Sequence, residues 1–371
     1  MIELTFEGNG KEMAEVLNRL SRSISKKSTM PILSTVAFCI EGGQLFATAT
    51  NLEQHHRAVM PTASLSGDEN AGCCVAMDRI AALFARCADG VVCVTLDGDE
   101  IAVSAGDRHA RVKTLPIDGF PMTHGAAGDG VSCDADRLGC ALATVAFAVS
   151  DDTTRHALNG VYLSGDGIAV ATDGRRLVSF RYGAEPCQSL DGVILPSSAV
   201  TSIVEMLDRQ KLVKVATGGG GIVFRGEGEE FFTKLIDANY PNYRQVIPSF
   251  NHPVSLRVAR HAIRHALEWC KVMQNGSDTT VKLSAEGSEI TVSVTAPDVG
   301  EVEERVSLLA PIHGNIRVAL NIRYLMGMVA RDGGDEFILT TEIIRDGAVM
   351  GALIVSEVNE DFLGILMPMR F

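Results

Sequence analysis

Six segments of this sequence look alike, and any fold it adopts has to accommodate all six. Each reads as a short strand, a polar or small residue, an amphipathic helix and a turn; they fall at residues 3–23, 74–90, 131–149, 193–210, 254–274 and 316–333. The helices are expected to begin near residues 11, 77, 135, 197, 259 and 321, at spacings of 66, 58, 62, 62 and 62. Apolar residues recur within them at helical intervals, as in Met13, Val16, Leu17 and Leu20, or Ile263, Leu267 and Cys270. Between the helices lie β-rich runs that alternate apolar and polar residues, punctuated by Asp97-Gly98, Asp166-Gly167, Asn275-Gly276 and Glu286-Gly287. A fixed period of this size marks a repeat architecture. The unit is one helix with three or four antiparallel strands.

Two such units bury each other's helices on a shared pair of sheets, so six units predict an α+β chain of three repeated domains. Proline-bearing stretches near 121–130 and 248–253 place the boundaries, giving domains 1–125, 126–250 and 251–371. Units stacked by equal rotations close into rings or grow into filaments. Three domains could form half of a closed ring.

The charge of −13 argues against a nucleic-acid partner unless basic residues are segregated. They are. The helices with their flanking turns (11–27, 77–88, 134–149, 197–211, 257–271 and 321–331) hold 16 Lys and Arg against 8 Asp and Glu, so they carry +8 and the remainder −21. If all six helices face one side, that side attracts duplex DNA and the opposite side repels it. Helices crossing phosphates hold DNA by counterion release without reading bases. Lys and Arg also favour helices for their propensity alone, and the third helix, with Asp134, Asp136 and Arg137, is not basic. The DNA-facing candidates are Arg19, Arg22, Lys26 and Lys27, followed by Arg155, Arg209, Lys211 and Arg264.

Nine scattered cysteines without a CxxC pair read as reduced thiols, with no zinc site and no other metal or cofactor expected. The first eight residues alternate like a strand and carry no leader pattern. No apolar run reaches the roughly 20 residues that span a bilayer, so a cytoplasmic protein with no membrane partner is expected. There is no GxxxxGK[ST] motif, and Gly218–Gly221 reads as a hairpin loop. Asp151-Asp152 reads as a solvated loop pair. His261 and His265 lack an HExxH context, and Trp269 is expected in a core. No catalytic constellation is found, so no enzyme is expected.

Motifs along the whole chain resemble the bacterial DNA polymerase III beta sliding clamp family. Residues 30–34 (MPILS) are similar to its PILSN segment. Leu158-Asn-Gly160 followed by residues 171–177 (ATDGRRL) resembles its LNG…ATDGHRL. Residues 234–237 (KLID) and 240–244 (YPNYR) match its SKLIDGRFPDY, and the terminal residues 367–371 (MPMRF) its MPMR ending. Their order and spacing make the resemblance specific. It implies a head-to-tail homodimer, a six-domain ring around double-stranded DNA, and a non-catalytic role in processivity. It also implies a cleft in each protomer for short motifs of the DNA polymerase III alpha subunit, clamp-loader subunits, a mismatch-repair protein, ligase and other clamp-binding proteins. The matching cleft positions are Leu158, Thr172, Gly174, Arg175, Arg176, Leu177, Pro241, Val246, Ile365, Met367, Pro368, Met369 and Arg370. Methionine suits a pocket with several ligands, and Gly174 permits a positive φ after Asp173. The resemblance places the dimer interface at the basic strand with Arg108, Arg111 and Lys113, the acidic segment with Asp298, Glu301, Glu303 and Glu304, and apolar Val272 and Met273.

The departures from the family pattern are Arg175 where it has His, Gln245 for a frequent Arg, residues 196–198 (PSS) without a basic pair, and His156-Ala157 in place of aromatic residues. An acidic segment at 356–362 is also longer than the pattern leads one to expect. They point to a divergent or second clamp, and they leave open a clamp-like protein-interaction adaptor with weak or no DNA loading.

Overall fold

The computed structural model describes residues 4–25, 28–122, 128, 130–183, 190–274, 279–296, 299–331, 334–342, 351, 353–356 and 361–369. Lys26, Lys27, Asp298, Arg370 and Phe371, the Asn275-Gly276 turn and residues 357–360 of the acidic segment lie outside them.

Among the described residues there are six α-helices: α1 (Gly10–Leu20), α2 (Met77–Arg86), α3 (Ala135–Val145), α4 (Ser197–Leu207), α5 (Arg260–Lys271) and α6 (Ile322–Val329). Each starts within two residues of the position the repeat predicts. Short polar side chains explain several of the starts. Asn9 accepts from the amides of Lys11 and Glu12 at 2.9 and 3.2 Å, Asp134 from Arg137 at 2.9 Å, and Asn321 from Arg323 and Tyr324 at 2.9 and 3.3 Å. Such caps satisfy amides that have no partner within the helix. The inward faces are the periodic apolar residues: Met13, Val16, Leu17 and Leu20 on α1, Leu138, Leu142 and Val145 on α3, and Leu325, Met328 and Val329 on α6 are buried. Trp269 departs from its expected core position and is 54% exposed. The inward residues of α5 are Ile263, Ala266, Leu267 and Cys270. Position 269 falls about 200° around the helix from 267, which turns it outward.

The chain forms two compact units. The first joins residues 1–139 to 198–235, the second residues 140–197 to 236–371. Strands of unit 1 form a thirteen-stranded sheet, and α1 packs on α2 and on strands Gln44–Thr50 and Gln54–Val59. Strand Glu229–Lys234 pairs antiparallel with Gln54–Val59, so part of the middle repeat is built into this unit. The expected glycine loop is a tight hairpin: Gly218 pairs with Gly221 across Gly219 and Gly220, both at positive φ. Unit 2 has an eight-stranded and a four-stranded sheet. In it α5 packs on α6 and on the edge strand Gly300–Ser307, and α6 lies on Asn315–Asn321 and Phe362–Leu366. No helix among the described residues is long and apolar enough to cross a membrane. The eight described cysteines are unbridged, and burial pushes the Cys73 and Cys74 thiols up to about 12.

Inside unit 1 an ion network ties α1, α4 and two strands. Glu229 is buried, and its carboxylate accepts from Arg209 Nη2 at 2.7 and 2.9 Å and meets His56 Nε2 at 2.7 Å. Arg19 Nε approaches to 3.9 Å, and Arg22 pairs with Glu205 at 2.5 Å. Burial alone would raise the Glu229 carboxyl. The hydrogen bonds and charges of His56 and Arg209 outweigh it and hold the group below the usual carboxylate range. A carboxylate depressed on folding adds stability above its unfolded pKa and loses it as pH falls through the folded value. Glu229→Gln should therefore destabilise unit 1 by about 2–4 kcal/mol at pH 7, because it strands partly buried arginines. The gap between variant and parent should close below about pH 4. Urea unfolding at both pH values measures it, and an equal midpoint at pH 7 refutes the assignment.

Candidate functional site

The sequence motif at residues 171–177 (ATDGRRL) folds as a self-bonded turn leading into a strand. The Asp173 carboxylate accepts from the amides of Arg175 and Arg176 at 2.9 and 3.0 Å and from Arg176 Nε at 3.0 Å. The Thr172 hydroxyl donates to Arg176 O at 2.6 Å and accepts from the Gly174 amide at 3.1 Å. Gly174 has φ +85°, and a Cβ there would lie 2.7 Å from Arg155 Nη1. The turn thus needs glycine for backbone and for space.

The strand that follows, Arg176–Arg181, pairs antiparallel with Phe362–Leu366, opposing Leu177 to Ile365. Beyond the pairing, the Met367 amide donates to Arg175 O at 2.9 Å and the Met369 amide to Ala319 O at 2.7 Å. Two motifs about 190 residues apart thereby share one surface of unit 2. Leu177 and Ile365 form its floor, buried with Val170 and Tyr243, and Tyr162, Tyr240 and Ile247 pack around them. Tyr162 stacks on Tyr240 at 4.7 Å, and burial pushes the Tyr240 phenol well above the usual tyrosine range. Val246, Met367 and Met369 are 55%, 49% and 37% exposed, and Pro241 is also exposed. Leu158, Thr172 and Pro368 are half-buried or buried. The expected cleft positions inside the described residues thus divide into a packed floor and open apolar walls. An exposed apolar surface bordered by Arg175 and Arg176 is what an extended peptide with apolar side chains can dock on.

Sequence reasoning named Arg176 but missed the tyrosine stack and the aromatic rings that hold this arginine. Arg176 lies between Tyr324 and Phe147, its guanidinium 4.2 and 4.9 Å from their ring centres. Phe147 packs on Gly327 of α6, where a Cβ would meet its ring at 2.5 Å. Burial and the Asp173 carboxylate raise the Tyr324 phenol. The pattern Tyr324–Gly327 on α6 is a sequence sign of such a ring contact, but its partner Phe147 is not legible from it.

The DNA-facing candidates fall into distinct settings. Arg19, Arg22 and Arg209 are engaged with Glu229 and Glu205, and Arg209 Nη1 also donates to Glu205 O. Arg155 pairs with Asp152 at 3.6 Å and belongs to unit 2. Arg264 is exposed beside Glu268 at 3.5 Å, and Lys211 is exposed with no ion pair among the described residues.

The charged residues expected at the interface lie on open strand edges. In unit 1, residues 108–113 of strand Arg108–Pro116 pair on one side with Glu100–Ala105, and only residues 114–116 pair on the other. Arg108, Arg111 and Lys113 are exposed; Lys113 reaches Asp99 and Glu100 at 3.1 and 2.9 Å, and Arg111 reaches Glu100 at 3.5 Å. In unit 2, Gly300–Ser307 is the terminal strand of the four-stranded sheet. Glu301 and Glu303 are exposed, and Glu304 meets His265 at 3.0 Å. Val272, on the turn after α5, is 75% exposed, and Met273 is half-buried.

Comparison with known proteins identifies the family and the fold. Family models described as DNA polymerase III beta subunit, central domain and C-terminal domain match residues 133–242 and 244–370. The chain is 26% identical over 355 residues to the beta sliding clamp of Pseudomonas aeruginosa, covering 94% of each protein. It is 24% identical over 364 residues to that of Vibrio cholerae, covering 95% of this chain and 96% of the relative. Its fold matches the crystal structure of a Pseudomonas aeruginosa sliding clamp bound to griselimycin with a TM-score of 0.90 at 23% identity, and a Bacillus subtilis clamp with 0.88 at 18%, each over 100% of both chains. With matched domains covering more than half of its length, the chain belongs to the DNA polymerase III beta subunit family.

Proposed function

We propose that this beta subunit works as a head-to-tail homodimeric ring of three-domain protomers, threaded by duplex DNA. It is a sliding clamp, a non-catalytic processivity factor that keeps a polymerase on DNA. The observation that carries the ring is the pair of open edges of opposite charge, basic in unit 1 and acidic in unit 2. An unpaired edge is an aggregation hazard unless something covers it, and a second copy of the chain supplies the complement. The exposed methionines and Val246 support a cleft for short segments of the polymerase alpha subunit, clamp-loader subunits and other clamp-binding proteins. A small apolar cleft of this kind holds an extended peptide by about −6 to −8 kcal/mol, in the micromolar range.

The ion pairs that occupy Arg19, Arg22 and Arg209 favour a second reading, an adaptor that engages partners but loads poorly on DNA. Loading onto a nicked circular plasmid, followed by gel filtration, separates the two. A clamp stays with the circle and leaves when a restriction enzyme linearises it; an adaptor never co-elutes. Lys26, Lys27 and Lys211 are the basic groups we assign to DNA. Changing all three to Glu should shorten retention on the circle several-fold and reduce the salt slope of short-duplex binding by roughly 0.9 for each phosphate no longer neutralised. Unchanged retention and slope would remove these residues from the DNA surface.

A further inference from the structure

The ion pairs of unit 1 are of two kinds. Glu229, with a side chain 5% exposed, holds His56 and Arg209 in the interior. Taking a partner from a carboxylate so deeply buried is strongly destabilising, so Arg209 belongs to the fold. Arg22 is different. Its Nη2 meets Glu205 at 2.5 Å with both side chains in contact with solvent, 47% and 35% exposed, and Glu205 is its single carboxylate partner among the described residues. An exposed pair of this kind contributes little to stability, and another anion displaces it at small cost.

Glu205 is the only charged residue of α4. Ser198, Thr201, Glu205 and Asp208 follow one another at intervals of three or four residues, which puts them on one stripe of the helix. Ser198, Thr201 and Asp208 are exposed and Glu205 is partly so. The stripe offers hydroxyls and carboxylates and no cation. Arg22, in the turn Ser21–Ser23 after α1, lies four residues before Lys26, in the basic run assigned to DNA. A duplex drawn to that run meets an arginine already neutralised and a carboxylate that repels phosphate. We propose that Glu205 is a latch on DNA binding: it holds Arg22 until a duplex phosphate displaces it, and so keeps the grip of the ring weak. Guanidinium takes phosphate through the same forked hydrogen bonds with which it takes carboxylate. Phosphate contacts carry no sequence information, and one that competes with an internal carboxylate releases as readily as it forms. The inference rests on the reading of this chain as a DNA-threaded clamp, and its test separates the two.

The probe is a fluorescein-labelled 20-base-pair duplex, titrated with the full-length protein and followed by anisotropy between 50 and 200 mM NaCl. Glu205→Gln should bind about three- to tenfold tighter than the parent at 50 mM, with a salt slope steeper by roughly 0.9, so that the gain falls about threefold by 200 mM. Arg22→Gln alone should change affinity less than about twofold, because the arginine is occupied; in the Glu205→Gln background it should remove most of the gain and restore the parent's slope. Neither change removes a bond of Glu229, and Arg209 Nη1 donates to the backbone oxygen of Glu205, which the substitution keeps. Asp208, which has no ion pair among the described residues, supplies the control for net charge: Asp208→Asn should leave the slope as it is. If Glu205→Gln binds with the parent's affinity and slope, or if Asp208→Asn steepens the slope equally, there is no latch. If Arg22→Gln costs as much in the parent as beside Glu205→Gln, Arg22 meets DNA unhindered and the proposal is overturned. If none of these proteins binds the duplex at 50 mM, the DNA reading itself fails and takes the latch with it.

Discussion

Glu301→Lys, Glu303→Lys and Glu304→Lys introduced together should leave the protein monomeric at micromolar concentration, with a dimer dissociation constant raised at least a hundredfold at about 100 mM salt. The three glutamates sit on the terminal strand of the four-stranded sheet, where Gly300–Ser307 has a neighbour on one side only. In the proposed dimer that edge meets Arg108, Arg111 and Lys113 of a second copy. Arg108 donates to Arg86 O, and the pairs of Arg111 and Lys113 with Asp99 and Glu100 lie at the surface, where such pairs contribute little and exchange readily. Reversal replaces attraction by like-charge apposition, which costs several kcal/mol across an interface. Sedimentation velocity gives the readout. Trp269, the chain's single tryptophan, adds a second: it lies on α5 one turn before Val272 and is half exposed, so dissociation should shift its emission to the red. Arg108→Glu, Arg111→Glu and Lys113→Glu in the same chain should restore the dimer. A triple lysine variant that sediments like the parent would mean that the ring closes elsewhere.

The helix periodicity made the six helices and their inward faces legible, because a helix records its buried side every three or four residues. Caps at Asn9, Asp134 and Asn321 fix where three of them start. What a linear pattern cannot carry is pairing between distant segments. Counting helical charge left Arg19, Arg22 and Arg209 available for DNA. It could not register Glu229, which lies on a strand 173 residues beyond His56 and binds it at 2.7 Å. Trp269 was expected inside because tryptophan usually is; its position around α5 decides otherwise. The cleft residues came from resemblance to a family pattern, and the pairing of Arg176–Arg181 with Phe362–Leu366 is the physical reason that two of its motifs lie together. Arg155, Arg175 and Arg176 were each singled out in sequence, but that they line one pocket with Arg323 was not, since the lining comes from three separate stretches.

Deleting residues 367–371 should weaken binding of a cleft peptide at least a hundredfold while the dimer and its melting temperature stay nearly unchanged. Met367 and Met369 are the exposed apolar side chains at this end of the cleft, and covering each with a ligand contributes about 1–2 kcal/mol. Removing both, together with what Pro368 adds beside them, reaches the roughly 2.8 kcal/mol that a hundredfold requires. The structural loss is small: the strand Phe362–Leu366 keeps its register on both neighbours, and among the described residues the bonds that go are Met367 N–H to Arg175 O, Met369 N–H to Ala319 O and the Thr280 hydroxyl to the Met369 sulfur. Leu177→Ala is the contrasting control. Leu177 is buried in the floor against Ile365, so its truncation should cost about 2–5 kcal/mol of unit 2 stability in addition to any effect on the peptide. The two variants divide the cleft into the part that holds the fold and the part that holds the ligand. A truncated protein that binds the peptide with the parent's affinity would put the docking surface somewhere else on the molecule, whatever the ring does.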